Sequence, residues 1–292
     1  MKRSPAALGL ALLLASCGSG PARPQDPPSG ATVTLRGKSF DVTHFVKDPE
    51  RRYAPDQAPK VDGGHWVLCS WDRDRIVHLF STRRDQGYCV AFLDAEGKVV
   101  EQALLPEACE EGETSKISVR HALLLSPGWA KGGIKVGDVI GFSAAVAAAK
   151  VDPLPVIKVA DTPVHVEPSH LLSQRMRGLM HRPRLSKDEG MLFLYPQAEE
   201  RSFWMKNTLI PLDIAYFDAE GNLLNVRRMK PAADPAKGGE LKAPSAGPAR
   251  FVLEVNYGWF DARSLIDAEG KPVKPVKLEI PDHLRRLADQ AE

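Results

Sequence analysis

The stretch that decides the fold is AYFDAEGNLL, residues 215–224, in which two apolar runs flank the tetrapeptide DAEG. Asp at the first position of a turn and Gly at the last are favoured, and between apolar runs they predict a β-hairpin. AFLDAEGKVV, residues 91–100, repeats the pattern at an offset of 124 residues. DAEG alone is weak evidence, since it also forms a turn sequence at residues 267–270.

Three further pairs of segments repeat in the same order, which predicts a tandem duplication with loop insertions. The alternative is two unrelated β-rich domains that share turn chemistry. In both halves, short runs of Val, Leu, Phe and Tyr bounded by Gly, Pro and Asp predict a mainly β fold of two small barrel-like or rolled-sheet modules. The pairs are RHALLLSPGW from residue 120 with RFVLEVNYGW from 250, GHWVLCSW from 64 with GMLFLYPQ from 190, and VTLRGKSFDV from 33 with IKVADTPVHV from 157.

The N-terminus has the features of a secretory signal, with Lys2 and Arg3 before a short apolar run. Leu14-Ala15-Ser16-Cys17 resembles the lipobox of bacterial lipoproteins, which implies an acylated Cys17 and a membrane-tethered protein. The alternative is an ordinary signal peptide. No Asp follows Cys17, which favours the outer membrane of the cell envelope. Removing residues 1–16 leaves equal numbers of basic and acidic residues, so no basic field favours nucleic acid.

These features predict six segments and one helix in the second module. Ser169 is the expected N-cap, and Leu172, Met176, Leu179 and Met180 are expected to form one apolar stripe facing the core. The segments are a signal peptide (1–16), a lipidated tether (17–31), a first module (32–143), a linker (144–155), a second module (156–280) and a C-terminal helix (281–292).

The second half resembles the family catalogued as domain of unknown function 192, over about residues 156–262. The resemblance implies a compact, largely β domain without an established activity. The first half, residues 32–143, reads as a degenerate copy, because it has HLFST at 78–82 where the second half has FWMKNT. The motifs are RGLM at 177–180, GMLF at 190–193, FWMKNT at 203–208, IPLD at 210–213 and VLE at 252–254.

The polar residues of these motifs suggest a pocket for an anionic or polyhydroxyl ligand, since guanidinium, ammonium, amide and hydroxyl groups together recognise such molecules. A structural alternative pairs Lys206 with Asp213, uses Asn207 and Thr208 to satisfy a bend before Pro211, and has Trp204 cap the barrel. An enzyme acting on a polar envelope molecule is a third possibility, although no trio of nucleophile, base and orienting group is visible. The candidate residues are Arg177, Trp204, Lys206, Asn207, Thr208 and Asp213.

Sulfur chemistry offers one further alternative and one expected bond. Met180, Met191 and Met205 with Trp204 are a conceivable Cu(I) site, although methionines more often fill cores. We assign no cofactor. Cys69, Cys89 and Cys109 are disulfide candidates, with a preference for Cys89 and Cys109. The prediction is a lipid-anchored binding or structural module whose partner is a small molecule or an envelope protein.

Overall fold

The structure is a computed structural model that describes residues 30–46, 61, 64–81, 84–109, 111–240 and 242–291. The predicted signal peptide, Cys17 and most of the tether lie outside the described residues. Within the described part, strands dominate and are gathered into two seven-stranded sheets of similar curl. No described helix has the length and apolar character that crossing a membrane requires.

The first module contains nine strands and one short helix among its described residues. Seven of the strands form a sheet in the order β6-β5-β8-β3-β2-β1-β9, and β4 pairs with β7 beside it. The elements are β1 Thr32–Leu35, β2 Lys38–Phe45, β3 His65–Arg75, β4 His78–Leu79, β5 Tyr88–Leu93, β6 Val99–Leu105, β7 Glu113–Thr114, β8 Val119–Leu125, a 3₁₀ turn Pro127–Ala130, β9 Ile140–Phe142 and α1 Ala144–Ala147.

The second module repeats this arrangement strand for strand, with the sheet order β15-β14-β17-β12-β11-β10-β18 and a separate β13-β16 pair. In both sheets one central pair is parallel, β2 with β3 and β11 with β12. A parallel pair needs a crossover connection, and α2 lies in the one between β11 and β12. The elements are β10 Val156–Val159, β11 Thr162–Ser169, α2 Leu172–Arg177, β12 Glu189–Glu199, β13 Ser202–Trp204, β14 Leu212–Phe217, β15 Leu223–Met229, a 3₁₀ turn Pro235–Glu240, β16 Lys242–Pro244, β17 Ala249–Asn256, a 3₁₀ turn Asp261–Arg263, β18 Leu278–Glu279 and α3 Asp282–Asp289.

The strand registers support a duplicated module. Asp41 pairs with His65 and His165 with Glu189, so β2, β3, β11 and β12 keep one offset of 124 residues. The expected match of GHWVLCSW to GMLFLYPQ was therefore two residues out of register, an error that alternation hides because it leaves each residue on the same face. Even the bulges coincide: the register shifts between Ser70 and Arg75 in β3 and between Leu194 and Glu199 in β12.

The two DAEG turns are the same in both modules, as predicted. Gly97 and Gly221 have φ values of 83° and 86°, which other residues adopt only with strain. A Cβ atom at either position would also lie too close to a backbone oxygen, 2.5 Å from Ile140 O and 2.6 Å from Leu278 O. Both glycines are thus required by the turn and by the strand that closes the sheet beside it.

Each sheet is buried on both faces, so central strands such as β5 and β14 are apolar throughout. In the second module, one face of the sheet packs against Leu284 and Ala288 of α3. The other face contains Met191 and Met205, both fully buried, where thioethers fill space between aromatic and aliphatic side chains. Met180 is partly buried beyond the end of α2.

The expected apolar stripe of the helix in the second module is wrong. The helix α2 ends at Arg177, and Leu172 and Met176 on it are 57% and 50% exposed instead of core. Ser169 is buried at the end of β11 and does not cap the helix. The backbone N–H groups of His170 and Leu171 donate to Oε1 of Gln174, which therefore performs the capping. The spacing of apolar residues predicts that a helix has an apolar face, but it does not show whether another element packs against that face.

The described cysteines form no disulfide. Cys89 points into the cluster around Trp66 and Leu123, whereas Cys109 packs against the opposite face of the same sheet. The expected pair of Cys89 with Cys109 would therefore have to pass through the sheet. Cys69 lies on the same face of the sheet as Cys109, because both pack in the cluster on that face.

Candidate functional site

Arg177, the first residue of the RGLM motif, contacts the first module. Its guanidinium carbon lies 3.3 Å from the centre of the Phe80 ring, a cation–π distance. Nearby, the backbone N–H of Ile76 donates to Oγ of Ser186, and Arg184 donates to the carbonyl of Lys116. Arg177 thus contributes to the docking of one module on the other, and its ligand-binding role stays a prediction.

The residues after Trp204 form a turn and do not continue the strand, because β13 ends at Trp204. Asn207 has φ of 51°, in the left-handed region that Asn tolerates better than most residues. Its N–H donates to Pro235 O, and its carbonyl accepts from the N–H of His181. Thr208 is buried, while Lys206 is exposed. The polar half of FWMKNT therefore shapes a tight turn, with Lys206 projecting from it.

Asp213 is fully buried at the start of β14. Its two carboxylate oxygens accept hydrogen bonds from the N–H groups of Gly258 and Phe260, at 3.0 and 3.1 Å. Burial raises the pKa of Asp213, and these hydrogen bonds oppose the increase. Asp213 thus holds the loop after β17, and among the described residues it forms no ion pair with Lys206.

Trp204 lies in an open groove with a volume of about 450 Å³ on the surface of the second module. The floor is formed by the end of β12, one wall by α2 and the other by β13. The two exposed apolar residues of α2, Leu172 and Met176, line it together with Phe203 and Trp204. This volume falls within the range of small-molecule sites. The remaining lining residues are Arg175, Tyr195, Pro196, Gln197, Glu199, Arg201 and Ser202.

The polar part of the groove is built around Tyr195. The guanidinium carbons of Arg201 and Arg175 lie 3.9 and 4.8 Å from the centre of its ring. Arg201 also pairs with Glu199 at 3.1 Å, yet its buried Nε has no hydrogen-bond partner among the described residues. Burial raises the pKa of the Tyr195 phenol, which therefore stays neutral at pH 7. Two guanidinium groups thus converge on this ring, with the carboxylates of Glu199 and of the buried Glu254 near them.

A second polar cluster is buried between the two modules. Glu167 accepts from Arg182 through both of its oxygens, at 2.9 and 2.6 Å, and from Arg75 of the first module at 2.5 Å. Arg75 also lies 2.9 Å from Glu189, and burial raises the pKa of that carboxyl. These four charged residues are each less than a tenth exposed. The cluster joins the modules, and sequence reasoning assigned it nothing.

The same strand end is used differently in the two modules. By register, Trp71 and Arg75 of β3 correspond to Tyr195 and Glu199 of β12. The β3 residues are buried against the second module, where they line a residual cavity of about 20 Å³. Their β12 counterparts line the open groove. Since Glu199 carries the opposite charge to Arg75, the groove cannot repeat the docking contact with Glu167.

The comparisons with known proteins identify the second module. The profile of the family DUF192, described as Uncharacterized ACR, matches residues 156–271. A protein of unknown function from Novosphingobium aromaticivorans, known from a crystal structure, is 30% identical, with 48% of this chain and 99% of that chain covered and a TM-score of 0.35. This chain belongs to the DUF192 family.

A second solved structure, a proposed transcription regulator from Sinorhizobium meliloti, is 21% identical to the chain. It covers 66% of this chain and 93% of its own length, with a TM-score of 0.33. No curated protein matches the chain. The family profile ends at residue 271, a little beyond the residues that carried the resemblance, and leaves β18 and α3 outside it.

Of the six predicted site residues of the DUF192 module, Trp204 is the one that the structure places in the groove. Sequence reasoning missed Arg175, Tyr195 and Arg201, although Arg201 lies only two residues before the FWMKNT motif. Arg201 belongs to a short connection between two strands, where a charged residue is unremarkable. The apolar residues of α2 were noticed but assigned to the core. The sequence did contain a signal for them, because a helix of six residues is too short to bury all the apolar residues of this segment.

Proposed function

We propose that this protein is a lipid-anchored binding protein of the cell envelope whose DUF192 module binds an amphipathic anion in the groove. The ligand has an apolar chain or ring and a carboxylate or phosphate at one end. The observation that carries the proposal is the combination of exposed Leu172 and Met176 with the two guanidinium groups at Tyr195. Leaving apolar side chains this exposed costs free energy that a bound apolar group recovers.

The guanidinium donors of the groove support an anionic end group. Arg175 and Arg201 converge on one ring, and the unpartnered Nε of Arg201 is a donor that a carboxylate can satisfy. Lys242, whose Nζ lies 5.3 Å from the Trp204 ring centre, adds positive charge at the far end. Arg75 docks the first module by pairing with a carboxylate, and Glu199 at the equivalent position cannot do so. The groove is therefore better suited to a small molecule than to a further protein module.

The groove is tested by titrating the full chain with dodecanoate below its micelle concentration and following the intrinsic tryptophan fluorescence, to which Trp204 in the groove contributes. We expect saturable binding, weaker binding of uncharged dodecanol, and a loss of about tenfold or more in Arg201→Gln, since a charge-assisted hydrogen bond contributes roughly 1.5–3 kcal/mol. Arg263→Gln is the matched control, because Arg263 also stacks on a ring, 3.8 Å from the centre of Trp259. Equal affinity of Arg201→Gln and wild type would refute the proposal.

The anchor rests on the resemblance of residues 14–17 to a lipobox. It is tested by fractionating cells that express the wild type or Cys17→Ser. The wild type is expected in the membrane fraction, with acyl mass on its N-terminal peptide, and the variant in the soluble fraction. A soluble wild type would remove the lipid anchor and leave the groove proposal standing.

A further inference from the structure

The outermost strand of the second sheet, β15, is covered along its free edge. The backbone N–H of Val226 donates to the carbonyl of Gly270 over 2.8 Å. Arg228 donates to the carbonyls of Asp267 and Ala268. The turn that supplies these acceptors therefore lies against β15 and satisfies its outward backbone, which is one way in which proteins keep an edge strand from pairing with another chain.

The equivalent strand of the first module is β6, the outermost strand of its sheet. It pairs with β5 in the register in which β15 pairs with β14, so Gln102 corresponds to Val226 and Leu104 to Arg228. The connection from β8 to β9 is shorter than the one from β17 to β18, and its described residues form no counterpart of the covering turn. Where the second module has an arginine that holds this turn, the first has a leucine that is 53% exposed.

The outward backbone of β6 is left uncovered by the described part of the chain. Residues two apart on a strand point the same way, so the N–H groups of Gln102 and Leu104 face outward as that of Val226 does. Outside the strand pairs, neither N–H donates to a carbonyl of the described residues. The nearby loop meets Gln102 at its side-chain amide instead, which donates to the Ile134 carbonyl over 2.9 Å. An edge with a free backbone and an exposed apolar side chain is a place where another strand can add to the sheet.

We propose that β6 pairs with β6 of a second copy of this chain in an antiparallel, two-fold symmetric contact. The symmetry axis passes beside Ala103, so Gln102 of each copy lies opposite Leu104 of the other. These are the two residues whose backbone groups face outward, and each crossing exchanges both of its N–H···O bonds. The same surface serves both copies, as a closed two-fold dimer requires.

The side chains of β6 make the strand complementary to itself. Glu101 is the one charged residue of the strand, and in this register it lies opposite Leu105 of the other copy, so that like charges do not meet. Its carboxylate already accepts from the N–H of Lys116 in its own chain. In the same register β15 would place Arg227 opposite itself, with Arg228 beside it, and like charges directly opposite each other are destabilising. Self-pairing is therefore open to the first module and disfavoured in the second.

Self-association is measured by sedimentation velocity of the full chain carrying Cys17→Ser, so that neither lipid nor detergent contributes. We expect a reversible equilibrium that shifts from dimer to monomer on dilution. Leu104→Arg, which copies Arg228 of the second module, should weaken the association by at least about tenfold, because in a two-fold contact the substitution acts twice and puts charge on the edge. Val273→Arg is the matched control, since Val273 is a similarly exposed apolar residue of the second module, and it should leave the dimer unchanged.

Cross-linking tests the register. The two copies of residue 103 form a non-hydrogen-bonded pair with Cα atoms about 4.5 Å apart, which is within the range of a disulfide. Ala103→Cys should therefore give a covalent dimer on mild oxidation, beyond any cross-linking of the native cysteines in the unsubstituted chain. Leu104→Cys should not, because its copies lie diagonally about 7–8 Å apart. A chain that stays monomeric at every concentration, a dimer that Leu104→Arg leaves intact, or equal cross-linking of the two cysteine variants would overturn the proposal.

Discussion

The Arg75 side chain of the first module donates a hydrogen bond to the Glu167 carboxylate of the DUF192 module over 2.5 Å. Both residues are buried, and Arg182 binds the same carboxylate from the other side. Taking charges out of water is costly, so this contact holds only while every partner is present. The two modules are therefore expected to unfold as one unit.

Removing one charge from this cluster should destabilise the protein strongly. Glu167→Gln leaves Arg75 and Arg182 without their shared carboxylate, and we expect a loss of about 3 kcal/mol in the free energy of unfolding, measured by urea denaturation. Lys158→Met is the control, because it breaks the exposed Lys158–Glu279 pair and should cost less than about 1 kcal/mol. Equal losses of unfolding free energy in the two variants would show that the buried cluster stabilises the protein no more than an exposed ion pair does.

The stacking of Arg177 on Phe80 can be isolated with a double-mutant cycle. Phe80→Leu and Arg177→Met each remove the cation–π contact while keeping most of the apolar volume. We expect a coupling free energy of about 1 kcal/mol from urea denaturation of both single variants and the double variant. A coupling indistinguishable from zero would mean that Arg177 contributes by packing alone.

The buried carboxyl of Asp213 should make stability depend on pH. Its folded-state pKa is raised above the ordinary 3.8 by burial, despite the N–H groups of Gly258 and Phe260. A raised pKa stabilises the fold below the unfolded-state value, and this contribution is lost as pH rises through the folded-state pKa.

Asp213→Asn lacks this titration. The free energy of unfolding of the wild type, minus that of the variant, should therefore fall as pH rises from about 4 towards neutrality. Urea denaturation at intervals across this range measures the difference. A difference that grows with pH would show that the two backbone hydrogen bonds outweigh burial and that the carboxyl is ionised at low cost.

The cysteines should react in an order set by exposure. Burial raises the pKa of the Cys89 thiol to about 11, whereas Cys109 is partly exposed. We expect a thiol reagent to label Cys109 in the folded protein, and Cys69 and Cys89 after denaturation, because the thiolate is the reactive form. Mass spectrometry of labelled peptides identifies the sites. A melting temperature lowered by dithiothreitol would instead reveal a disulfide.

The duplication and the mainly β fold were predictable because their signals are local. The DAEG turns need Asp and Gly wherever they occur, and the glycines at 97 and 221 have the positive φ that such turns require. Alternation along each strand likewise depends on neighbouring residues only. A register error of two residues went unnoticed for the same reason, since alternation repeats every second position.

Sites between elements were predicted less well. The motif residues were grouped because they are close in sequence. In the structure they lie apart: Arg177 contacts the first module, Asp213 is buried in the core and Trp204 lines the groove. Arg201 and Tyr195, which belong to no motif, meet because the connection between β12 and β13 places the Arg201 guanidinium over the Tyr195 ring. Which side chains meet depends on how elements pack.

The sequence by itself determined the two β modules, the turns that close their hairpins and the DUF192 motifs, because these follow from backbone preference and alternation along a short segment. The tertiary structure alone decided that the RGLM arginine docks a module, that Leu172 and Met176 stay exposed, and that Arg75 meets Glu167. Those contacts join residues that are far apart in the chain. They are set by the packing of whole sheets, which no single segment encodes.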